Sequence, residues 1–391
     1  MEDSLTIIES CNFIDYPTGG QLSFAKHLIS SFGKNVVLIG ITTEKGELGK
    51  WTKKNIGGND YDFFPYLYLP KDSRKPLIPV RFKNYLALRK YKQEILKYEL
   101  KNVIMQSPDT VLAVLDFGFK NTCYRFAGTE NPLAISRYKF ARRFAFAYDN
   151  FFLPKLSKIN LVLAAADNNS IEELVIRSKG SLRKENIKQF MTRVDTEIYK
   201  CFPKLLTRDK LHIPVNQLMI VTTGRLAWFK GWKFMIDSFN TFKLNHSDAH
   251  LYFIGNGEDY DKIKSYIAGL KLESVIHLIG FKDANVIAQY LNAADLFIMG
   301  SYKEGWSTSL IEAVSCGIPA CVTNFSSAKD IIEDGINGYV AEIHEESKFV
   351  ELMTKCLVID RKHLPRSIDV EKYAIKNLKS DLLKLWYLDK D

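Results

Sequence analysis

Long apolar runs are missing from this chain. None approaches the roughly 18 residues of a membrane-spanning helix, so an integral helical membrane protein is not expected. The start, Met1-Glu2-Asp3-Ser4, lacks the basic and apolar regions of a secretory leader. Cysteine is sparse, and positions 11, 123, 201, 316, 321 and 356 show no C-x-x-C or other metal-binding spacing. The thiols read as reduced and mostly buried, and the expected compartment is the cytoplasm. Two acidic triplets, Asp60-Tyr61-Asp62 and Asp259-Tyr260-Asp261, follow no buried strand that would hold them over a nucleotide. They read as solvated turns, and no metal is expected. Gly255-Asn256-Gly257 lacks the third glycine of a dinucleotide fingerprint, which argues against a dehydrogenase. Nothing resembles a nucleic-acid-binding module, so no nucleic-acid partner is expected.

What is present is a soluble, globular composition in 391 residues, too long for one ordinary core and therefore expected to form two domains. Charge divides unevenly: residues 1–205 carry a net +11 and residues 206–391 a net −2. A basic half beside a neutral one suggests that one half meets anions. In the second half, short apolar strands (218–223, 251–255, 275–280, 295–300, 318–323) alternate with helical stretches at about 230–243, 258–269, 284–293 and 309–316. That alternation means βαβ units, a parallel sheet and helices on both faces. The first half repeats the pattern with strands at 5–10, 36–42, 102–106, 110–115 and 160–165 and a helix at about 21–32. The expected division is a domain of residues 1–205, a second of 206–366 and a closing helical segment of 367–391 that packs back toward the first, with Cys201–Pro214 as the linker.

Open parallel sheets carry ligand chemistry at the carboxyl ends of their strands. Three glycine-bearing pieces fall there: Gly19-Gly20 after the first strand, Gly224-Arg225 after Thr223, and Gly305 after the strand ending at Gly300. In GRLAWFKG, residues 224–231, Gly224 permits a tight turn, and Arg225 and Lys230 could converge on a diphosphate. The alternative is two solvated cations beside a loop. In SYKEGWSTSLIEAVSCGIPA, residues 301–320, Ser309-Leu310-Ile311-Glu312 fits a capping box, which would make Glu312 a capping residue and Glu304 a loop carboxylate. The Gly305–Ser309 run also precedes a helix, whose first N–H groups suit an anion. A carboxylate beside an anion site makes sense if Glu304 meets hydroxyls, and a sugar on a nucleoside diphosphate supplies both.

Taken in order, G-R-L-x-x-x-K-G followed about eighty residues later by E-G-x-x-x-x-x-x-E-A-x-x-x-G-x-P resembles the retaining glycosyltransferases of family 4. Gly19-Gly20, residues 190–202, Gly255-Asn256-Gly257-Glu258, Gly280-Phe281 and Asp334–Gly338 match further motifs in sequence order. The resemblance implies an α/β chain of GT-B architecture, with two Rossmann-like doubly wound domains facing a central cleft. It implies that Arg225 and Lys230 hold the donor diphosphate, that Glu304 contacts the transferred sugar, and that Glu312 contacts the ribose. The amides of Gly305, Trp306, Ser307 and Thr308 would support the phosphates and Phe281 would lie near the base. Gly224 would shape the diphosphate loop, and Gly19 and Gly20 would let backbone approach the donor. Catalytic roles then fall to Arg225, Lys230 and Glu304. Retention by attack on the donor's own face needs positioning and charge stabilisation, without a cofactor.

One departure from the pattern concerns the mid-domain histidine that such enzymes often carry: no histidine occurs between His27 and His212. Glu130 lies in roughly the right region as an acceptor-side candidate, although a charged loop end is the plainer reading. His27 reads as structural. The basic half also contains a possible helix over 81–101, with Lys83, Lys90, Lys97 and Lys101 on one side and Leu88, Tyr91, Ile95 and Tyr98 on another. A second stretch, SRYKFARRFAFAY at 136–148, mixes cations with aromatics. Solvated helix and buried aromatic cluster is one reading; docking on the anionic inner face of a cell membrane is the other. The expected function is transfer of a sugar from a nucleotide-sugar, UDP-linked, to a saccharide or lipid-linked saccharide acceptor in bacterial cell-surface polysaccharide biosynthesis. The alternatives are a non-catalytic nucleotide-sugar-binding protein and an epimerase of the same fold.

Overall fold

The structure is a computed structural model that describes all residues except 1–3, 18, 47, 72–77, 135–138, 362–363, 365–369 and 388–391. The chain divides into two units, Met1–Met191 with Lys376–Asp391, and Thr192–Ile375.

The first unit is built on eight strands: β1 (Leu5–Ile8), β2 (Val36–Thr42), β3 (Thr52–Ile56), β4 (Asn59–Tyr68), β5 (Val103–Met105), β6 (Thr122–Phe126), β7 (Leu161–Ala164) and β8 (Ile187–Gln189). Their order across the sheet is β3-β4-β2-β1-β5-β6-β7-β8, and every pair is parallel except the β3–β4 hairpin at one edge. Strands β1, β2 and β7 are apolar runs buried on both faces, as parallel strands between helical layers must be. Helix α1 (Gly20–Phe32) repeats its apolar residues every three or four positions, burying Leu22, Ala25, Leu28, Ile29 and Phe32 against that sheet. It stops at Gly33, which adopts φ +58. Each such buried Leu, Ile or Phe contributes about 1.5–3 kcal/mol. The C-terminal helix Leu378–Tyr387 joins the same core through Leu378, Leu382 and Trp386, which share one face at spacings of four.

The second unit has six strands, β9 (Leu218–Thr223), β10 (Ala249–Ile254), β11 (Ile276–Gly280), β12 (Leu296–Met299), β13 (Ala320–Thr323) and β14 (Gly338–Ala341). All are parallel, in the order β11-β10-β9-β12-β13-β14. The chain winds outward from β9 in one direction, then returns to β12 on its other side. The crevice for a ligand therefore opens at the carboxyl ends of β9 and β12.

Several sequence expectations are corrected. Residues 110–115 are not a strand: helix α2 (Pro108–Val114) occupies them, with proline at a first-turn position where its missing N–H costs nothing. The strand β6 was not foreseen, because Arg125 interrupts its apolar run. That guanidinium is buried, donating to Gln106 Oε1 at 3.1 Å and lying 3.9 Å from the Phe24 ring centroid. Asp60-Tyr61-Asp62 is not a turn but part of β4, with Tyr61 buried and Asp62 paired to Lys53 at 2.7 Å across the hairpin. Asp259 is likewise buried, accepting from Trp232 Nε1 at 3.1 Å and Lys262 Nζ at 2.7 Å.

The helix over 81–101 breaks at Tyr91 into Val80–Lys90 and Lys92–Leu96, so the four lysines do not form one line. Lys97 instead pairs with Glu94 and Lys101 with Glu99. The apolar stripe holds, with Leu88 and Ile95 fully buried and Tyr91 packed against them. The division between units falls at 191/192 rather than 205/206. Val194 bridges to Ala374, and the supposed linker contains the helix Lys204–Lys210. Arg208 of that helix is buried and donates to Asp295 Oδ2 at 2.6 Å and Ala293 O at 2.9 Å.

Candidate active site

At the switch point of the second unit, the loops beyond β9, β10 and β12 pack backbone on backbone. Gly255 adopts φ +150, and a Cβ there would lie 1.9 Å from Gly224 O. Gly231 adopts φ +67, and its Cβ would lie 1.8 Å from Gly300 O. Neither position has room for a side chain, so glycine holds the loops in register. Leu226 N–H donates to Asn256 O at 3.0 Å and Asp259 N–H to Leu226 O at 3.1 Å, which lock the β9 loop onto the β10 loop.

Those contacts position the charged groups. Lys230 ends a single 3-10 turn, Trp228–Lys230, and its ammonium forms an ion pair with Glu304 Oε1. The same Glu304 oxygen accepts from Ser301 Oγ at 3.1 Å. Both partners are largely buried, so the pair is shielded from solvent screening. Arg225 is more exposed and donates through Nε to Glu258 Oε2 at 2.9 Å, which steadies the guanidinium without consuming its outer N–H groups. Gly224, Arg225, Lys230 and Ser301 line one small pocket with Thr222 and Met299. The two strand-end motifs that lie about eighty residues apart in sequence thus meet in one place.

Helix α3 (Thr308–Ser315) begins beside them, and its start differs from expectation. The N-cap is Ser307, whose Oγ accepts from Leu310 N–H at 3.3 Å; Ser309 lies inside the first turn. The capping-box role of Glu312 is therefore overturned, since Glu312 is two residues too far along the helix to serve Ser307. Ser307 N–H donates to Ser327 Oγ at 3.0 Å, so that amide is engaged within the protein. The first-turn amides of Thr308 and Ser309 are those without intrahelical partners. Ser309 Oγ faces the β9 loop, 3.4 Å from where a Gly224 Cβ would stand.

Glu312 is half-buried, and burial pushes its carboxyl up to about 7, offset in part by a hydrogen bond from the Tyr199 hydroxyl. Trp306 does not present its ring, which is buried near Tyr373 with centroids 6.3 Å apart. Its carbonyl accepts from Thr192 Oγ1 at 3.3 Å, so what it could offer a ligand is its backbone N–H. Phe281 follows β11 and is 74% exposed.

On the first unit, Gly19 and Gly20 lie at the turn into α1 with open space around them, and Glu130 is exposed on the loop beyond β6. His27 is half-buried within α1. Three residues of the second unit escaped sequence reading: Ser301, Glu258 and Tyr199. Glu258 belongs to the Gly255–Glu258 motif, but its partnership with Arg225 depends on β9 and β10 being neighbours. Among the described residues, no group of three or more His, Cys, Asp or Glu is placed to hold a metal ion, and no helix is long and apolar enough to cross a membrane.

Residues 204–374, a little under half of the chain, match the family model described as glycosyl transferases group 1. Among curated proteins, the poly(glycerol-phosphate) alpha-glucosyltransferase of Bacillus subtilis is 29% identical over 177 residues, which is 45% of this chain and 26% of that protein. The amylovoran biosynthesis glycosyltransferase AmsK of Erwinia amylovora is 32% identical over 157 residues, 39% of this chain and 37% of AmsK. The chain thus spans about a quarter to a little over a third of those relatives' lengths. Among solved structures, sucrose-phosphate synthase of Thermosynechococcus elongatus matches with a TM-score of 0.78 at 12% identity, covering 99% of both chains. Anabaena HepE in complex with UDP and glucose matches with a TM-score of 0.71 at 16% identity, covering 98% of this chain and 99% of that one. The fold is therefore the α/β, two-unit GT-B architecture.

Proposed function

We propose that this chain is a retaining glycosyltransferase of family 4 that moves a sugar from a UDP-linked donor to a saccharide or lipid-linked saccharide acceptor in bacterial cell-surface polysaccharide assembly. The observation that carries the reading is the Lys230–Glu304 ion pair beside Arg225 at the β9/β12 switch point. An ammonium and a carboxylate held together there match a donor that presents a diphosphate and sugar hydroxyls to the same spot. The relatives' names support it, since one is a glucosyltransferase, another serves amylovoran biosynthesis, and HepE is seen with UDP and glucose.

In the proposed reaction, the donor's C1–O bond to the β-phosphate breaks and a bond from C1 to the acceptor oxygen forms on the same face. The acceptor proton passes to the departing phosphate oxygen. Lys230 and Arg225 offset the charge that grows on that oxygen, an interaction of the kind worth about 3 kcal/mol in a preorganised site. Glu304 orients the sugar through its hydroxyls while remaining tied to Lys230 and Ser301. Thr308 and Ser309 present first-turn amides to the phosphates. Glu312 accepts from the ribose, Phe281 meets the base, and Glu130 is the acceptor-side candidate of the first unit. The two cations supply the positive charge, so no metal is proposed, and transfer should persist in EDTA.

A thermal-shift panel of UDP-, GDP- and ADP-sugars tests the reading, because a ligand of the folded state raises its stability by RT ln(1 + [L]/Kd). A UDP-hexose should raise the melting temperature above all GDP- and ADP-sugars. No shift with any nucleotide-sugar would overturn it.

A further inference from the structure

The first unit presents a surface that catalysis at the second unit leaves unexplained. Between residues 139 and 158 the chain runs through short helical turns whose inner side is fixed in the core by Tyr148, Phe152, Leu153 and Leu156. Its outer side exposes apolar rings. Phe140, Phe144, Phe146 and Phe151 are 60%, 54%, 61% and 59% exposed. Single exposed apolar residues are ordinary, but four phenylalanines within twelve positions are a patch. The buried neighbours explain why the rings stay outside. Tyr148 and Phe152 pack on each other with centroids 5.0 Å apart, and Phe152 meets Tyr124 at 5.5 Å, so that face of the segment is already filled.

Cations are interleaved with the rings. Arg142 and Arg143 are exposed between Phe140 and Phe144, and Lys155 Nζ lies 5.1 Å from the Phe151 ring centroid. The stretch 139–158 holds five Lys or Arg and one acid, Asp149. That carboxylate is taken by Arg177, from outside the stretch, at 2.7 Å. The helix Val80–Lys90 of the same unit repeats the pattern, exposing Phe82 and Leu86 one turn apart, with Arg81, Arg89 and Lys90 also exposed.

We infer that this face of the first unit docks on an anionic lipid bilayer, with Phe144, Phe146 and Phe151 entering the headgroup–acyl boundary and Arg142 and Arg143 meeting lipid phosphates. Protein interfaces are also enriched in aromatics and arginine, but five cations against a single acid that Arg177 already holds favour a continuous anionic surface over a protein partner. Aromatic rings beside Arg and Lys, with little acid, match an interface whose depth is apolar and whose surface is negative. The inference rests on the proposed function only in giving membrane docking a purpose, access to a lipid-linked acceptor.

The test is flotation of the full chain with vesicles of phosphatidylcholine alone and of phosphatidylcholine containing one-third phosphatidylglycerol. The expected result is binding to the anionic vesicles only, weakened by added salt and reduced at least tenfold in both Phe144→Ser/Phe146→Ser and Arg142→Gln/Arg143→Gln. Melting temperature and UDP affinity should be unchanged in both. No vesicle binding, equal binding to neutral vesicles, or variants that bind like the parent would overturn it. So would a parent that dimerises in sedimentation through these phenylalanines and ignores lipid. UDP affinity separates the two claims: vesicle binding without UDP binding would remove the proposed function and leave the surface standing.

Discussion

In the second unit the loops beyond the strands press backbone on backbone, Gly255 on Gly224 and Gly231 on Gly300. In the first, a Cβ added at Gly19 or Gly20 in the loop beyond β1 would meet nothing within 4 Å among the described residues. Both sheets follow one construction, parallel strands with a switch point, yet the polar groups at the two switch points differ. In the second unit they line a pocket: Lys230, Arg225 and Ser301, with Glu304 paired to Lys230. In the first they are sealed. Glu9 is buried and accepts from Gln106 N–H, and burial raises its carboxyl to about 8. The difference teaches that shared topology fixes where a site can form, while loop packing decides whether it is rigid and reachable.

That contrast can be broken most severely at Gly231. Gly231→Ala places a Cβ on Gly300 O in a left-handed conformation, and should cost about 3 kcal/mol of stability in chemical denaturation. Gly20→Ala, in open space at a helix start, should change stability by no more than about 0.5 kcal/mol. Equal effects would erase the distinction between the units.

Next in size are Lys230→Ala and Arg225→Ala. Each should lower turnover at least tenfold, about 1.4 kcal/mol of barrier, in a chain that still folds; Lys230→Ala should also lower the melting temperature, since it leaves Glu304 without its partner. Lys230 should matter more, because it is the more buried of the two cations. Glu304→Gln should follow, keeping UDP affinity while reducing transfer and discrimination among donor sugars.

The smallest effect sharpens the role of Glu312. Its carboxyl is raised from 4.5 to about 7 in the folded protein, so its contribution to stability is full below the unfolded value and is lost as pH rises through 7. A ribose donating to the carboxylate favours the ionised form. UDP affinity should therefore rise several-fold between about pH 6 and pH 8, and the rise should vanish in Glu312→Gln. A parallel rise in parent and variant would assign the titration elsewhere.

The legible parts of the fold were those where one physical signal dominates. Val36–Thr42 and Leu218–Thr223 are apolar runs of strand length, and both are strands. Thr110–Leu115 is an equally apolar run, and periodicity alone cannot tell a buried strand from a buried helix turn. Strand β4 hid behind two aspartates and Pro65, and β6 behind Arg125, whose partners come from distant positions. At the site, the spacing of Gly224, Lys230, Glu304 and Glu312 located the strand ends. Which serine caps the helix was not legible, since Ser307 and Ser309 both precede apolar residues at suitable intervals. The partnerships of Glu258, Ser301 and Tyr199 depend on three-dimensional neighbours, and sequence spacing does not encode them.

The most direct test is calorimetric titration of UDP into the parent chain and into the Arg225→Ala/Lys230→Ala double variant. If these cations hold the donor diphosphate, the parent binds UDP and the double variant, still folded by circular dichroism, binds it at least tenfold more weakly, a loss of about 1.4 kcal/mol or more. Equal affinity in the two proteins would contradict the diphosphate site at the β9/β12 switch point.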